Sequence, residues 1–450
     1  ITAVPDRGTS DQQLLSDRDD GWSASCPHGE SGDCQWLLFY SARSFIAIAW
    51  RCVVEQVYER LLAAASLRSG DGAVRVVAEY EPVGGVGTPV FPPTVKLEAT
   101  NAAGYLREKR WLEGEPTEVV LLDQRQSQAN RCETALLQAV ERGEVFVPHL
   151  VLVTDAEGVA VRVSSLEAPH RSRDAYFRDA VDAEGRAFDE TEPGAALRVA
   201  GVRDVGAYLR WVPSDLVFGV WDSHRKRRVQ VKVPRAYSSE MVGVAPLASV
   251  RGAGRVDPLN LTGETVQLTD DGGWKSLDGE KPPKGTKTAK SSALGHGMIP
   301  PSEGIGGVTV RSIQRSATVS MAQLASLRFG KVSPELEAAG RALVGALALL
   351  GDRLAFSAPV VRLRSGCDLV LAEERVEWVM RGRDGAVVTE PLEVTSAADA
   401  VELFRVAVRR AEAAGLEWPS EPFVVRPNEQ LQKAIEKSFV LAGAGEVEGE

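Results

Sequence analysis

An amphipathic helix pattern between short strand patterns constrains the fold of this chain more than any other feature of its sequence. Ala129, Cys132 and Leu136 recur at three- and four-residue spacing and predict one buried helical stripe. The strand patterns around it are EVVLLD (118–123), VFVPHLVLVT (145–154) and VAVRV (159–163). Strand, helix, strand, strand is the opening of a ferredoxin-like or RRM-like unit. The sequence therefore predicts an α+β fold with such a core.

Regular patterns continue on both sides of this unit. AVRVVAEY (73–80) alternates as a strand, and a Gly/Pro loop follows it. Ser333-Pro334 predicts a helix that Gly351 ends, and Ser396 predicts a second helix that Gly415 ends. Two further strand patterns are APVVRLR (358–364) and RVEWVM (375–380). The C-terminal third is thus expected to be ordered α+β structure.

Charge is distributed unevenly along the 450 residues. The net charge is −10, which argues against a protein whose whole surface coats DNA. Residues 200–315 nevertheless hold 17 Lys and Arg and only 11 acidic residues. We therefore predict an N-terminal extension of uncertain fold (1–52) and a main domain (53–450) with a basic, thumb-like insert at 200–315. Within that insert, 270–307 reads as a Gly/Pro/Lys/Ser loop, which a compact domain rarely keeps without a use.

Cysteine usage and hydropathy indicate the compartment. Five scattered cysteines are too few for a disulfide scaffold, which favours a reducing cytoplasm. The longest apolar stretch, 37–50, contains Arg43 and is shorter than the roughly 20 residues that a membrane span needs. The polar, acidic first 36 residues do not predict a secretory signal. We expect a cytoplasmic protein without membrane contact.

Motifs for catalysis or cofactors are missing from the sequence. Cys26, His28 and Cys34 lack the fourth ligand of a zinc module, and no metal site or cofactor is predicted. His149 lies in a strand pattern and is interpreted as a core histidine. Asp215 and Asp222 flank the apolar run LVFGVW and are interpreted as capping its ends. No Walker loop, HExxH or nucleophile-elbow sequence occurs.

Three polar, basic stretches next to strand patterns are candidates for binding phosphates. The first opens the amphipathic helix, where free backbone N–H groups point outward. Its candidate residues are Gln128, Asn130 and Arg131, with a solvated helix start as the alternative. The second stretch, 164–179, offers Ser165, and then His170 and Arg171 after a proline turn.

The third stretch, 222–240, contains basic side chains interleaved with an aromatic residue and hydroxyls. Lys232, Arg235 and Ser238 are its candidates, a combination that suits single-stranded nucleic acid. For the run 224–228 in the same stretch, a solvated hairpin tip is the alternative.

Four lysines follow at three-residue spacing in the insert. They are Lys281, Lys284, Lys287 and Lys290. Pro282-Pro283 favour polyproline II, in which such spacing places side chains on one side, suited to a strand of phosphates. A solvated linker is the alternative.

Five ordered motifs carry a resemblance to a known family. They are DQRQSQANRCETALL, SLEAPHRSRDAYFRD, PSDLVFGVWDS, KVPRAYSSEMVG and GMIPPSEGIGGVTV. In this order they resemble the CRISPR RAMP backbone subunit of type I-U (now I-G) interference complexes, the Cas-seven group. The similarity runs from about Val53 to Lys437.

The resemblance implies an RRM-like core with inserted helices and a thumb-like hairpin. It implies copies stacked head to tail along a guide RNA (crRNA), which is presented to target DNA within an antiviral ribonucleoprotein. Cutting is then left to a separate helicase-nuclease, and other CRISPR effector subunits complete the assembly. The alternative within this group is a metal-dependent endoribonuclease that uses a loop aspartate. A small-molecule enzyme is a third interpretation and would require a deep pocket with convergent polar groups.

Overall fold

The computed structural model describes residues 42–443 except 67, 99–101, 157, 223–230, 262, 270–271 and 278. The chain divides into two compact units, Ile1–Ala49 and Trp50–Glu450, and every element after the first helix belongs to the second unit. The predicted zinc-ligand candidates Cys26, His28 and Cys34 lie outside the described residues. In the described part, no helix combines the length and apolar character that a membrane span needs.

Ten α-helices occur in the described part of the chain. They are α1 (Ala42–Ala64), α2 (Arg125–Glu141), α3 (Ala175–Arg178), α4 (Glu192–Val199), α5 (Gly206–Trp211), α6 (Ser214–Phe218), α7 (Met321–Ser326), α8 (Pro334–Phe356), α9 (Ala397–Ala413) and α10 (Glu429–Gly443). Short 3-10 turns lie at Arg171–Arg173, Phe188–Glu190 and Ser291–Leu294.

The strands complete a mixed α+β architecture. Those of the first half are β1 (Asp71–Pro82), β2 (Thr94–Leu97), β3 (Ala102–Tyr105), β4 (Arg107–Leu112), β5 (Glu115–Asp123), β6 (Leu150–Ala156), β7 (Val159–Ser164), β8 (Ala180–Val181), β9 (Val220–Trp221) and β10 (Lys232–Val233). The later ones are β11 (Tyr237–Val244), β12 (Leu247–Arg255), β13 (Thr265–Leu268), β14 (Trp274–Ser276), β15 (Thr288–Lys290), β16 (Ile299–Thr309), β17 (Ser312–Ser320), β18 (Val360–Arg364), β19 (Cys367–Arg381), β20 (Val387–Pro391) and β21 (Phe423–Pro427).

An antiparallel sheet in the order β18-β19-β1-β17-β11-β5-β4 forms the centre of the molecule, with β20 added beside β19. Within it, α2 lies in sequence between β1 and β11, and α8 lies between β17 and β19. β1 and β11 run parallel to each other with the antiparallel β17 between them, and α2 lies in the connection from β1 to β11. In the same way, β17 and β19 run parallel with β1 between them, and α8 lies in the connection from β17 to β19. The predicted strand 73–80 is therefore one of the two innermost strands of this arrangement.

Two of the strands predicted to continue this core lie elsewhere. β6 and β7 belong to a second sheet, β7-β6-β21-β8, in which β6 runs parallel to β21. The prediction that they follow α2 within the same unit was wrong. A local pattern shows that a segment is a strand but not which strand it pairs with, and the partner of β6 comes from the C-terminal end of the chain.

The predicted helices are present, with one boundary moved. Ser333 caps α8, and Ser396 with Asp399 forms a capping box at α9, whose end Gly415 follows at φ +103°. The prediction that Gly351 ends its helix was wrong, because α8 continues to Phe356. A Cβ at Gly351 would lie 3.3 Å from the Cβ of Cys132, so this glycine allows α8 to pack closely on α2.

A buried ionic network joins the sheet to α8. Arg315 of β17 and Asp352 of α8 form an ion pair without solvent exposure. Tyr237 donates its hydroxyl proton to Asp352 at 2.6 Å, and Arg353 is a second cation on the same carboxylate. Burial alone would raise the pKa of Asp352, but the two guanidinium groups hold it well below its usual range. The predicted core histidine, His149, is also buried and has its Nδ1 2.8 Å from the carbonyl oxygen of Val147.

A two-stranded ribbon extends from the central sheet between β11 and β17. Its strands, β12 and β16, pair with each other from Leu247↔Thr309 to Arg255↔Ile299. A small sheet, β14-β13-β15, lies between them in sequence. The prediction that 270–307 is a loop was wrong, because β14, β15 and most of β16 fall inside that range.

Candidate nucleic-acid interface

Three segments form one open pocket of about 540 Å³. They are residues 169–171, 218–221 and 232–235, and they bring together four residues predicted to contact phosphates: His170, Arg171, Lys232 and Arg235. We call this the basic pocket. Proline, valine and aromatic side chains make up the rest of its wall. The second and third candidate stretches of the sequence thus converge on one site.

A short antiparallel pair builds one side of the basic pocket. Trp221 of β9 lies directly opposite Lys232 of β10, and Val220 lies opposite Val233. The Nζ atom of Lys232 is 5.3 Å from the centroid of the Trp221 ring, a cation–π distance. Trp221 is 56% exposed, so the pocket presents an aromatic surface next to its cations.

Gly219 allows the segments of the basic pocket to approach one another. Its φ of +85° and ψ of 151° lie in a region that only glycine adopts readily. A Cβ there would lie 3.1 Å from the backbone nitrogen of Arg235. The Gly219 carbonyl oxygen accepts a hydrogen bond from Nη1 of Arg171 at 3.1 Å. Any side chain at this position would displace Arg235.

Arg171 is anchored by a carboxylate from α2. Its Nε and Nη2 atoms donate to the two oxygens of Glu133, with the Nη2 bond at 3.0 Å. Glu133 is buried, which raises the pKa of its carboxyl, whereas Arg171 acts in the opposite direction. Arg171 holds a φ of +54°, unusual for a residue with a side chain. Because both of these hydrogen bonds hold Arg171 on Glu133, this arginine is chiefly a structural part of the pocket wall.

Arg235 is in a different electrostatic position. Among the described residues no carboxylate forms an ion pair with it. Burial and the nearby Arg171 and Arg125 lower the pKa of Arg235, and Glu133 only partly opposes them. A cation held beside other cations attracts an anion. The geometry therefore suits a phosphate group at Arg235.

Residues 74–246, which include the whole basic pocket, match the family model of the CRISPR-associated protein GSU0053. This part of the chain is similar to the CRISPR-associated proteins of the Cas_GSU0053 family. A search of curated proteins gives no match. The match to the Cas_GSU0053 family ends two residues after β11, so the ribbon, α8 and α9 lie beyond the matched residues.

The first candidate stretch lies partly inside the fold. Gln128 has no exposed surface: its amide donates to Asp123, and its carbonyl oxygen accepts from Ser239 at 2.7 Å. Arg131 pairs with Asp123 at 2.8 Å and donates to the carbonyl oxygen of Leu363. Contact of Gln128 with RNA would require this network to open. Asn130, two residues after Gln128 in α2, is exposed.

The serine candidates are also mostly enclosed. Ser165 is buried and accepts a hydrogen bond from the backbone N–H of Leu150 at 3.1 Å. Ser238 is half-buried on β11, where it lies opposite Thr318. The basic run 224–228 lies outside the described residues.

The lysines of the insert are exposed but do not share one side of a polyproline II helix. Between Lys284 and Lys287 the chain turns at Gly285, whose φ is +89°, and Thr286 N–H donates to the carbonyl oxygen of Pro283 at 3.2 Å. Lys290 then ends β15, in which successive side chains alternate between faces. The predicted polyproline II geometry was wrong, because a β-turn and a strand interrupt the segment.

Two acids interpreted as caps have other partners. Asp215 lies fully buried in α6 and accepts a hydrogen bond from the Ser172 hydroxyl. Burial raises its pKa to about 7, although Ser172, Arg171 and Arg173 lower it. Asp222 is buried 3.7 Å from Arg173. Among the described residues, no group of three or more metal-ligating side chains is placed to hold an ion.

Sequence reasoning missed Trp221 and Glu133. Trp221 was interpreted as the end of an apolar run, although it directly precedes an acid and the basic stretch. Glu133 follows Cys132 of the buried stripe, and its burial depends on an arginine that is distant in sequence. The cross-strand partner of Trp221 was not visible in any local pattern.

Proposed function

We propose that this protein is a non-catalytic subunit of a CRISPR interference complex that binds guide RNA along the backbone of the complex. In this proposal further copies assemble head to tail, and the guide is presented for pairing with target DNA. The observation that carries the proposal is the basic pocket, which collects phosphate-binding candidates from separate segments inside the region matched to the family. Other effector subunits and a helicase-nuclease supply the remaining activities.

The charges of the basic pocket support backbone contacts rather than base reading. Arg235 and Lys232 have no described carboxylate paired with them, so they are available to phosphates. Phosphate contacts fix the position of a nucleic acid without carrying sequence information. A guide-binding subunit has to accept many different sequences, and such contacts satisfy that requirement.

We also propose that β1, α2, β11, β17, α8 and β19 constitute an RRM-like core. Its support is the strand order β19-β1-β17-β11, which is that of a ferredoxin-like β-α-β-β-α-β unit (fourth, first, third and second strand). Insertions then lie between β1 and α2, between α2 and β11, and between β11 and β17. The ribbon occupies the last position and is our candidate for the thumb-like hairpin.

The open face of this core favours the basic pocket as the RNA site. Side chains on β1, β11 and β17 alternate, so one set faces away from the buried core. The central residues of that set are Arg75, Val77, Ser238, Glu240, Ser316 and Thr318. Arg75 pairs with Glu377, and Glu240 pairs with Arg110. RRM domains stack bases on aromatic side chains of this face, and these six positions have none.

The ribbon supports the proposed assembly. Leu247 and Val250 of β12 are more than 70% exposed, and Ile305 of β16 is also exposed. Apolar side chains on a two-stranded ribbon are suited to burial against another molecule. When such a contact joins different surfaces of identical copies and does not close, it generates a helical array.

The test is to purify the protein with its neighbouring CRISPR subunits and analyse bound nucleic acid and mass. We expect RNA of uniform length and a mass that requires several copies per guide. The protein alone, without guide, is the control and should remain smaller. A protein that stays monomeric with guide and partners present would contradict the proposal. Guide-independent cleavage of RNA that requires Mg²⁺ would instead favour the endoribonuclease.

A further inference from the structure

We infer that the basic pocket holds a single nucleotide unit of the RNA strand, with its base stacked on Trp221 and its phosphate on Arg235. This inference rests on the proposed function and names the chemistry of its site. It assigns one base-contacting residue, whereas the proposed function needs only backbone contacts.

The phosphate half of the site follows from charge. Arg235 is half-buried, lies near Arg171 and Arg125, and has no described ion-pair partner. Arg171 forms an ion pair with Glu133, and Arg125 forms one with Glu240. Arg235 is thus the guanidinium in this cluster whose charge is least compensated. A phosphate oxygen would supply the missing partner in a charge-assisted hydrogen bond.

The base half follows from Trp221. One face of its indole is covered by the Lys232 ammonium at 5.3 Å, yet 56% of the residue remains exposed. An exposed tryptophan in the wall of a cationic pocket is a stacking platform that accepts every base, because each base has a π-face. Lys232 fixes the ring by a cross-strand contact, so the platform is ordered before RNA binds.

The size of the pocket agrees with one nucleotide. A volume of about 540 Å³ lies within the range of about 300–1,000 Å³ that small-ligand sites occupy. Apolar side chains such as Phe218, Val220 and Val233 line it beside the cations. A flat phosphate-binding surface would need no such walls, whereas a stacked base is stabilised by them.

The experiment measures binding of labelled single-stranded RNA octamers, oligo(U) and oligo(A), by fluorescence anisotropy across a salt series. Trp221→Ala should weaken both about 5- to 150-fold, the range that stacking of one base represents, and leave the salt slope unchanged. Trp221→Tyr should keep most of the affinity. Arg235→Gln should reduce the salt slope by about 0.7. Trp111→Ala is the matched control, since Trp111 is 76% exposed and outside the pocket.

The outcomes separate this inference from the proposed function. Wild-type affinity in Trp221→Ala, with RNA still bound, would overturn the nucleotide site and leave the guide-binding role intact. An absence of RNA binding in the wild type, alone and with its partner subunits, would overturn both. Equal displacement of RNA by a polyglutamate peptide would overturn the base-stacking assignment. Circular dichroism spectra matching the wild type establish that each variant is folded.

Discussion

Substituting Arg171 with alanine tests whether this residue builds the basic pocket or binds RNA directly. The change removes the bidentate partner of Glu133, whose side chain is 4% exposed, while that of Arg171 is only 19% exposed. Breaking a buried pair by removing one partner costs about 3–5 kcal/mol. Because Arg171 keeps some contact with water, we expect a loss near the lower end, about 3 kcal/mol of unfolding free energy.

The loss should depend on pH in a defined direction. Burial already raises the pKa of Glu133 above its ordinary 4.5, and removal of Arg171 raises it further. A carboxyl whose pKa is higher in the folded than in the unfolded state contributes stability that is fully present below the unfolded pKa and is lost as the pH rises through the folded pKa. The difference in stability between wild type and Arg171→Ala should therefore be largest at neutral pH and shrink toward pH 4.5.

Urea denaturation at several pH values measures this difference, and a double variant provides the control. Glu133→Gln combined with Arg171→Gln leaves two amides that can hydrogen-bond to each other. We expect it to recover most of the stability and to bind RNA with the wild-type salt slope. A loss below 1 kcal/mol in Arg171→Ala, together with a slope reduced by about 0.7, would refute the structural role and indicate a phosphate contact.

Three further predictions concern other parts of the molecule. Asp352→Asn leaves Arg315 without its buried counter-charge and should cost about 3–5 kcal/mol by urea denaturation, whereas an apolar replacement of both should be tolerated better. Gly219→Ala should lower the free energy of unfolding by about 1–3 kcal/mol, because alanine does not readily adopt this backbone conformation. It should also weaken RNA binding, because the added Cβ displaces Arg235. Unchanged affinity would argue against Arg235 as a contact. The four insert lysines (281, 284, 287 and 290) can be changed together to glutamine. The salt dependence of single-strand binding should then decrease in slope by about 0.7 for each phosphate that these lysines neutralise. An unchanged slope for both guide and target would indicate that they neutralise none.

Local rules predicted three of the described helices, α2, α8 and α9. Spacing of Ala129 and Leu136 predicted α2, and Ser396 with Asp399 predicted the capping box of α9, because these signals act within a few residues. Gly351 was misinterpreted because glycine is common both at helix ends and where two helices pack closely. The sequence near Gly351 does not distinguish these two roles, since the contact with α2 is formed only in the folded protein. The pairing of β6 with β21 depends on segments more than 250 residues apart, and no local pattern reports it.

The candidate site was predicted in part for the same reason. His170, Arg171, Lys232 and Arg235 were each selected by residue type, and the fold brings them together. Their separate roles depend on partners: Glu133 neutralises Arg171, while no described carboxylate pairs with Arg235. Gln128 shows the limit of residue type, since a polar side chain at a helix start was expected outside and instead joins a buried network.

The ribbon leaves and rejoins the central sheet at one pair of opposite residues, Val244 of β11 and Ser312 of β17. The chain that leaves the sheet at Val244 returns to it at the directly opposite residue, whatever length lies between. Residues can therefore be added to or removed from the far part of the insert without shifting the register of any central strand. Related chains can differ in reach while retaining the same core, and a graft at this position would change how far one molecule extends without redesigning the rest.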